Sequence, residues 1–499
     1  KAGICQVTIQ DMSEPIRNKA IRGVTWSAVE KFARQGLMTL FTILIARQLS
    51  PSDYGLVAML NIFLAVAQLF VDSGFVEALI RKQDRTEVDF STTFWFNIGI
   101  AFIIYAILYV LSPLIAYFYN EPLLEEILVW VSLVFVINSF RVVQQAKLSI
   151  ALNFRCQTWI TMIAISVSGG VGLWMAYNEF GVWTLVWQPL LQNFLNVLLL
   201  WISAGWMPSL TFSKKSFREL FGFGSKLLIT RTLHTLYTNG SYLLVGKFYS
   251  PALTGLYSQS VQMTSFLPVS VSDVVARVAY PIECELQHDD DALQRIFYRF
   301  LRMNAFIVFP LMAGLAAMAE PVVRLLLTDK WMDAVPLMQI LCFGWMWQPF
   351  SVATWQILNA KNRSDYYLKS EIIKKIIAFV ILISSMFFGI TMVCIGWVIY
   401  CVIDLYIITL YTKRLIPCIS YKGEMRVLLP ILLRSLLMGG IVYSLRYLID
   451  SDLLLIVFGI LSGFIVYAGI SSLTKSEEIR WLIGMAREKV CRAKYRIEK

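Results

Sequence analysis

The stretch that decides the fold occurs twice in this chain. Its first copy reads GVTWSAVEKFARQGLMTLFTILIARQLSPSDYGL, Gly23–Leu56, and its second reads FGSKLLITRTLHTLYTNGSYLLVGKFYSPALTGL, Phe223–Leu256. A shift of 200 residues superposes the copies without a gap. The coinciding positions include Ser50-Pro51 with Ser250-Pro251, Gly55-Leu56 with Gly255-Leu256, Lys31 with Arg231, Arg34 with His234, and Arg47 with Lys247. Two apolar helices, half the chain apart, therefore carry basic groups at the same depth.

The composition is that of a membrane protein. The 499 residues are 58% hydrophobic and 15% charged, and the mean hydropathy is +0.64, whereas a soluble domain carries about 25% charged residues. The apolar runs are long and continuous, while the strands of a membrane β-barrel read as short alternating segments. We therefore predict an all-α polytopic membrane protein.

Fourteen segments are predicted to span the membrane, most with the roughly 20 apolar residues that a bilayer core requires. They run over 27–49, 56–80, 91–119, 123–143, 156–177, 182–205, 224–247, 256–280, 298–327, 334–357, 370–388, 391–413, 427–448 and 452–473. Helix-start signals agree with them. Ser50 reads as an N-cap with Pro51 at the first helical position and Asp53 in the first turn. Further starts of this kind are Ser250-Pro251, Asn120-Glu121-Pro122 and Asp333-Ala334-Val335-Pro336.

Basic residues give the predicted orientation, because Lys and Arg collect in cytoplasmic loops. With the N-terminus inside, the inner segments hold Arg17, Lys19, Arg22, Arg81, Lys82, Arg85, Arg141, Lys147, Arg155, Lys214, Lys215, Arg218, Lys361, Arg363, Lys369, Lys413, Arg414 and Lys422. The opposite connections are short and carry few basic residues. The same rule accounts for the net charge of +11, so we expect no nucleic-acid partner. Both termini are predicted to be cytoplasmic.

The repeat extends beyond the opening stretch with a small drift. Ser112-Pro113-Leu114 corresponds to Glu320-Pro321-Val322, and Phe180-Gly181-Val182 to Phe388-Gly389-Ile390, at an offset of 208. Each repeat then holds six spans, and an even number makes the copies parallel, related by an axis along the membrane normal. The sequence predicts two six-helix lobes that face each other with a substrate between them.

The predicted organisation follows from this repeat. It comprises a cytoplasmic N-terminal segment at 1–22, an N-lobe at 23–205, a cytoplasmic linker at 206–223, a C-lobe at 224–415, two further helices at 416–474 and a basic tail at 475–499. Met12 is a candidate start, with residues 1–11 outside the natural fold. The tail mixes Trp481, Leu482 and Met485 with basic residues, which predicts an amphipathic helix on anionic lipid, or else a partner-binding segment.

Ionisable side chains inside a bilayer cost about 2.5–3.5 kcal/mol on insertion scales, so they are functional candidates. The pseudo-twofold axis would point the basic groups of both copies at one central space. We therefore predict a cationic substrate-binding group made of Lys31, Arg34, Arg231 and His234. Snorkelling of Lys31 and Arg34 to the cytoplasmic headgroups is the alternative.

Other charges in the spans have different predicted roles. Four of them lie at cytoplasmic helix ends and are predicted to be structural or gating charges of the cytoplasmic rim: Asp72, Glu77, Asp273 and Arg277. Asp404 and Glu30 are candidates for binding a coupling cation, although Glu30 also has the i, i+4 spacing that pairs it with Arg34.

Several other chemistries are not indicated. The eight Cys form no CxxC pair and there are only two His, His234 and His288, which argues against a metal site and a Ser-His-Asp triad. No GxxxxGK[ST] sequence occurs, so an ATPase motor is not expected. Of the fifteen Trp, five fall near helix ends, as an aromatic belt does: Trp183, Trp187, Trp201, Trp206 and Trp331. Trp345, Trp347 and Trp355 lie deeper and are candidates for lining a path.

One family resemblance stands out. RNKAIRGVTWSAVEKFARQGLMTLFTILIARQLSPSDYGLVAM, Arg17–Met59, and DSGFVEALIRKQD, Asp72–Asp84, resemble the polysaccharide-transport branch of the multidrug/oligosaccharidyl-lipid/polysaccharide (MOP) superfamily. Within it, the chain is similar to the Wzx-type flippases near the colanic acid exporter. The resemblance runs from about residue 16 to about residue 470, and it implies a MATE-like or MOP-like fold of fourteen helices.

The resemblance also implies a function. Members of this family move undecaprenyl-diphosphate-linked oligosaccharides across the inner membrane, by alternating access, for exopolysaccharide, capsule or O-antigen synthesis. The basic groups would then face the diphosphate, with Arg47 and Lys247 as an exit-side phosphate contact or as interfacial anchors. The implied partners are the lipid-linked glycan, membrane lipids, and polymerase and chain-length components of the glycan pathway, around a monomeric transport unit.

No cofactor is expected. The driving force would be a Na⁺ or H⁺ gradient, the membrane potential or consumption of the product outside. An ion-coupled drug or metabolite antiporter of the same fold is the alternative, and it would favour acidic groups where this chain has basic ones. A membrane glycosyltransferase or polymerase is a third hypothesis, but it would need a large outer loop or an acidic metal-binding motif, and the outer connections here are short.

Overall fold

The chain is helical throughout the part that its computed structural model describes. That part comprises residues 34–72, 79, 84–151, 153–214, 216–218, 235 and 239–474. Within these ranges all regular secondary structure is α-helix or 3₁₀-helix. This confirms the prediction of an all-α fold.

By internal contacts the chain divides into two compact units, residues 1–255 and 256–499. The helices up to this division are α1 Arg34–Ala46, α2 Pro51–Asp72, α3 Glu87–Tyr119, α4 Leu123–Ser139, α5 Val142–Ile150, α6 Phe154–Tyr177, α7 Val182–Ala204 and α8 at 239–248. The next helix, α9, begins at Pro251 in the first unit and ends at Glu285 in the second. The lobe and linker boundaries predicted from the repeat stay a prediction.

The helices that follow all belong to the second unit. They are α10 Asp290–Ala317, α11 Ala319–Leu327, α12 Ala334–Trp345, α13 Gln348–Ala360, α14 Ser364–Met386, α15 Ile390–Lys413, α16 Tyr421–Ser444 and α17 Asp452–Leu473, with 3₁₀ turns at Asp329–Trp331 and Leu445–Tyr447.

Many of these helices have the length and composition of membrane spans. Among the described residues, eight helices qualify, and a ninth span results if α4 and α5, which meet at a bend of 42°, are counted together. The chain is therefore a multi-span membrane protein. Each of the fourteen predicted ranges overlaps a described helix, while the count of fourteen spans stays a prediction.

The predicted helix starts are confirmed in both copies of the repeat. The Ser50 amide donates to Asp53 Oδ2 at 2.9 Å, and the Asp53 amide donates back to Ser50 Oγ at 3.3 Å. This reciprocal pair satisfies amides at the N-terminus of α2 that have no partner within the helix. At the start of α9, the Leu253 amide donates to Ser250 Oγ at 3.3 Å.

The same two helix starts cross each other within the first unit. A Cβ atom placed on Gly55 would lie 1.7 Å from the Pro251 carbonyl oxygen. A Cβ atom on Gly255 would lie 1.8 Å from the Pro51 carbonyl oxygen. Two residues that the repeat makes equivalent therefore form one reciprocal backbone contact, and glycine is required on both sides because any side chain would overlap the opposing helix.

Each unit has its own apolar core. In the first unit, α2, α3, α4 and α7 bury Leu60, Leu124, Ile127 and Val186 together. In the second, α10, α13, α15 and α16 enclose a larger core. The two C-terminal helices belong to this second unit: Met438 and Val442 of α16 and Tyr467 of α17 pack with Ala313 of α10.

Candidate functional site

A polar cavity of about 340 Å³ lies within the first unit, at the predicted cytoplasmic ends of α1, α6 and α7. We call it the arginine–amide cavity. Its lining residues are Arg34, Gln35, Met38, Arg141, Gln145, Gln157, Ile160, Thr161, Gln192, Asn193, Asn196 and Leu200. Two guanidinium groups and six carboxamides thus surround the cavity, and the described lining residues include no carboxylate. A formal charge of +2 among these described residues is unusual in a helical bundle of such low charge content.

Helix packing explains how Arg34 reaches this cavity. Helix α1 lies close to α6, because a Cβ atom on Gly169 would lie 2.4 Å from the Phe41 ring. Arg34 is seven residues before Phe41, two helical turns along the same face. Glycine at position 169 therefore gives the Phe41 ring its space and brings the first turn of α1 beside α6.

The other polar side chains come from two features of the chain. Arg141 occupies the bend between α4 and α5, and Gln145 follows one turn later in α5. In α7, Gln192 and Asn196 are spaced i, i+4 on one helix face. The neighbouring Asn193 side chain is held by its own helix, because its Nδ2 donates to the Pro189 carbonyl at 2.8 Å.

Much of the hydrogen-bonding capacity in this cavity is unused within the protein. The Arg34 guanidinium makes no hydrogen bond or ion pair with a described residue, and the same holds for the side-chain amides of Gln145, Gln192 and Asn196. Guanidinium groups donate in a fixed fork that matches phosphate oxygens, and amides both donate to and accept from hydroxyl groups. The cavity is therefore suited to an anionic ligand that carries hydroxyl groups.

The predicted cationic group is only partly within the described chain. Arg34 lines the arginine–amide cavity, whereas Lys31, Arg231 and His234 lie outside the described residues, as do Glu30 and Glu77. Asp72 ends α2, and its side chain lies outside the described part. The prediction that Lys31, Arg34, Arg231 and His234 act together stays a prediction.

The other predicted pair of basic residues has two different environments. The Lys247 ammonium of α8 donates to the Phe118 carbonyl and lies 4.7 Å from the centre of the Phe118 ring. Lys247 thereby binds the C-terminal end of α3, where helix carbonyls lack partners and the dipole attracts cations. Arg47 is exposed and makes no side-chain hydrogen bond to a described residue. Their role in substrate binding stays a prediction.

A second cavity, of about 560 Å³, lies within the second unit between α9 and α13. We call it the aromatic–amide cavity. Its lining residues are Asp273, Ala276, Arg277, Tyr280, Pro281, Trp355, Gln356 and Asn359. Two of the predicted rim charges, Asp273 and Arg277, thus face a cavity that also contains Trp355, one of the Trp residues predicted to line a path.

Asp404, a predicted cation-binding residue, has a charged partner inside the second unit. Its Oδ1 lies 3.1 Å from Lys374 Nζ and also accepts a hydrogen bond from the Tyr400 hydroxyl at 3.1 Å. Lys374 is buried and forms a second ion pair with Glu371. The Lys374 ammonium therefore occupies the place that a bound cation would take beside these two carboxylates. A coupling role for Asp404 stays a prediction.

Lys374→Met is expected to lower the free energy of unfolding by about 3–5 kcal/mol, because it leaves the largely buried Asp404 carboxylate without its counter-ion and leaves Glu371 with Lys375 alone. Thermal unfolding of the purified protein in nanodiscs measures this loss. The double variant Lys374→Met, Asp404→Asn should recover most of it, since it removes both charges of that pair and keeps the ion pair of Glu371 with Lys375. Wild-type stability of Lys374→Met alone would show that the ion pairs do not hold α14 against α15.

Sequence reasoning found Arg34 but missed Arg141 and the amides. Arg141 was assigned to an inner loop, as one of the basic residues that orient the protein. A usable signal was the run of amides within apolar helices, such as Gln144-Gln145 and Gln192-Asn193. Among the described residues, no group of three or more His, Cys, Asp or Glu side chains is placed to hold a metal ion.

Comparison with known proteins gives the family and the fold. The lipopolysaccharide biosynthesis protein WzxC of Escherichia coli (strain K12) is 25% identical over 370 residues, which are 72% of this chain and 73% of WzxC. The structure of lipid II flippase MurJ in an inward closed conformation superposes with a TM-score of 0.70 at 16% identity, covering 91% of this chain and 100% of MurJ. At this identity the likeness shows the fold.

A multidrug resistance MATE family transporter of the MOP superfamily, in an inward-facing conformation, superposes with a TM-score of 0.59 at 13% identity, covering 78% of this chain and 98% of the transporter. The fold is therefore the MOP-like fold that the resemblance implied. A family profile described as polysaccharide biosynthesis protein matches residues 44–336, which is more than half of the chain. The chain belongs to this polysaccharide biosynthesis protein family.

Proposed function

We propose that the chain is a flippase that moves a polyprenyl-diphosphate-linked oligosaccharide from the cytoplasmic to the periplasmic leaflet of the inner membrane. The glycan would be a repeat unit of an exopolysaccharide, a capsule or an O-antigen. Membership of the polysaccharide biosynthesis family and the likeness to WzxC and to the lipid II flippase MurJ support this substrate class. The protein is accordingly a transporter and not an enzyme.

The observation that carries the proposal is the charge of the arginine–amide cavity. A diphosphate loses favourable hydration when it leaves water, and paired cations with good hydrogen-bond geometry offset that cost. Arg34 and Arg141 supply two cations, and the Gln and Asn side chains around them supply neutral hydrogen-bond partners for sugar hydroxyl groups. No bond is made or broken in such a step, so binding groups without a nucleophile or a metal suffice.

We further propose alternating access as the transport mode, with both termini in the cytoplasm. The energy would come from a Na⁺ or H⁺ gradient, from the membrane potential or from consumption of the exported glycan. Moving one charge through 100 mV changes its free energy by about 2.3 kcal/mol, which is enough to bias a two-state cycle.

The direct test is flipping in proteoliposomes. The purified protein is reconstituted with undecaprenyl-diphosphate oligosaccharide extracted from the host and labelled on its glycan with a fluorophore that dithionite quenches. We expect the label of the inner leaflet to become accessible to the quencher faster in liposomes that contain the protein than in protein-free liposomes. Matched liposomes with labelled phosphatidylcholine control for scrambling of all lipids.

The same liposomes distinguish the second candidate, a drug antiporter, which the likeness to a multidrug transporter favours. Such an antiporter would accumulate a cationic dye when a Na⁺ or H⁺ gradient is imposed. A cation-binding transporter needs carboxylates at its substrate site, and the part of the arginine–amide cavity's lining that the structure describes has none. Dye accumulation without glycan flipping would contradict the flippase proposal.

A further inference from the structure

The aromatic–amide cavity differs in charge from the arginine–amide cavity. Its charged lining residues are Asp273 and Arg277, so their formal charges cancel. The described lining of the arginine–amide cavity carries a formal charge of +2 and no acidic side chain. A diphosphate therefore fits the arginine–amide cavity better than the aromatic–amide cavity. The aromatic–amide cavity suits a part of the substrate that is uncharged.

Two polar stripes face each other across this cavity. On α9, Asp273, Arg277 and Tyr280 recur at i, i+4 and i+7, which is one helix face. On α13, Trp355 and Asn359 are spaced i, i+4. The lining thus joins aromatic rings with a carboxylate, a guanidinium, a phenol hydroxyl and carboxamides. Cavities of roughly 300–1,000 Å³ with a few placed polar groups are typical of small-ligand sites.

The Trp355 indole is held in place by a second aromatic ring, that of Tyr367. Its ring lies 5.4 Å from the ring of Tyr367 on α14, at an interplanar angle of 36°, and the side chain is half-buried. Aromatic contacts of this kind hold a ring in one orientation. A sugar ring has an apolar face of C–H groups, and a fixed indole in a cavity is an apolar platform against which that face can pack.

The Gln356 side chain gives a second, independent argument for a sugar in this cavity. It is only 6% exposed, it lines the cavity, and its side chain makes no hydrogen bond to a described residue. A polar side chain that borders a cavity and has no partner in the described protein is satisfied there by a ligand or by water. An acyl chain in this cavity would leave the amide unpaired, whereas a sugar hydroxyl group both donates to it and accepts from it.

We propose that the aromatic–amide cavity is a saccharide-binding subsite, in which a sugar ring of the glycan packs on Trp355 and hydrogen-bonds to Gln356, Asn359 and Arg277. This inference rests on the proposed flippase function, since it assigns a place to the glycan of that substrate. These sugar contacts on α9 and α13 would be additional to the hydrogen bonds that the amides of the arginine–amide cavity offer to sugar hydroxyl groups.

The test uses the free glycan as the probe, so that diphosphate binding does not contribute. The oligosaccharide is released from the lipid-linked pool of the host by mild acid, reduced with tritiated borohydride, and titrated against the full-length protein in nanodiscs. We expect Trp355→Ala and Gln356→Leu each to weaken binding about tenfold or more, through the lost platform and the lost amide. Trp355→Phe, which keeps an aromatic face, should stay within about threefold of wild type.

A matched variant separates this subsite from general effects. Trp174→Ala removes an exposed Trp of the first unit and should leave glycan affinity unchanged. If Trp355→Ala misfolds, Gln356→Leu still decides the question.

The outcomes distinguish this subsite from the flippase itself. Wild-type glycan affinity in both Trp355→Ala and Gln356→Leu would overturn the subsite and leave the flippase proposal intact. The subsite would also be overturned, and the flippase proposal left intact, if the wild-type protein flips the labelled lipid but binds no free glycan. Failure of the wild-type protein to flip that lipid, in contrast, overturns the proposed function.

Discussion

Replacing Arg34 and Arg141 together with alanine is expected to slow flipping of the labelled lipid at least a hundredfold. A hydrogen bond to a charged group contributes about 1.5–3 kcal/mol, and each 1.4 kcal/mol changes a rate about tenfold when it is lost from the rate-limiting barrier. Among the described residues that line the arginine–amide cavity, the two guanidinium groups are the only charged side chains. Without them, the diphosphate would have to leave water with neutral amides alone as partners.

The double lysine variant, Arg34→Lys with Arg141→Lys, refines this expectation. It keeps the charge of +2 but loses the bidentate geometry of the guanidinium, so we expect partial flipping between that of wild type and the alanine pair. Arg414→Ala is the matched control, because Arg414 is an exposed arginine at the predicted cytoplasmic end of α15 and lines neither cavity. Circular dichroism checks that the helices remain. Flipping at the wild-type rate by the double alanine variant would exclude Arg34 and Arg141 as the diphosphate contacts.

Much of this fold could be predicted from the sequence because the membrane limits the choices. Backbone groups in lipid must be paired within the segment, so long apolar runs have to be helices. Helix starts could be predicted equally well, because the hydrogen bonds of Ser50 and Ser250 that cap α2 and α9 span a single helical turn. Arg34 was found for the same reason: a basic residue in an apolar helix is expensive wherever the helix packs.

The candidate sites were less predictable because their members are far apart in the sequence. Gln145, Gln157 and Asn196 come from three helices, and only the packing of the first unit brings them to one cavity. Asp404 appeared isolated, yet Lys374, thirty residues earlier, pairs with it. The equivalence of Arg47 and Lys247 also failed to predict that Lys247 binds the end of α3. A sequence repeat shows which positions correspond, but each copy has its own neighbours.

The glycine crossing in the first unit gives the largest expected effect on stability. Gly55→Ala and Gly255→Ala are each expected to lower the free energy of unfolding by at least about 2 kcal/mol, because overpacking costs about 1–3 kcal/mol even where side chains can yield. Here the opposing atoms are the backbone oxygens of Pro251 and Pro51, at 1.7 and 1.8 Å from the added Cβ atoms, and they cannot rotate away. Thermal or denaturant unfolding in nanodiscs measures the loss.

The double variant Gly55→Ala, Gly255→Ala is expected to lose less than the sum of the two single losses. The first methyl group forces the helix starts apart, and the second then enters space that has already opened, so neighbouring substitutions are not additive. Gly99→Ala is the matched control, because a Cβ at Gly99 meets no atom within 4 Å, and alanine is favoured over glycine in a helix by about 1 kcal/mol. Losses that add up fully would mean that the two glycines act independently. The reciprocal contact would then not be the reason why both repeats carry glycine at this position.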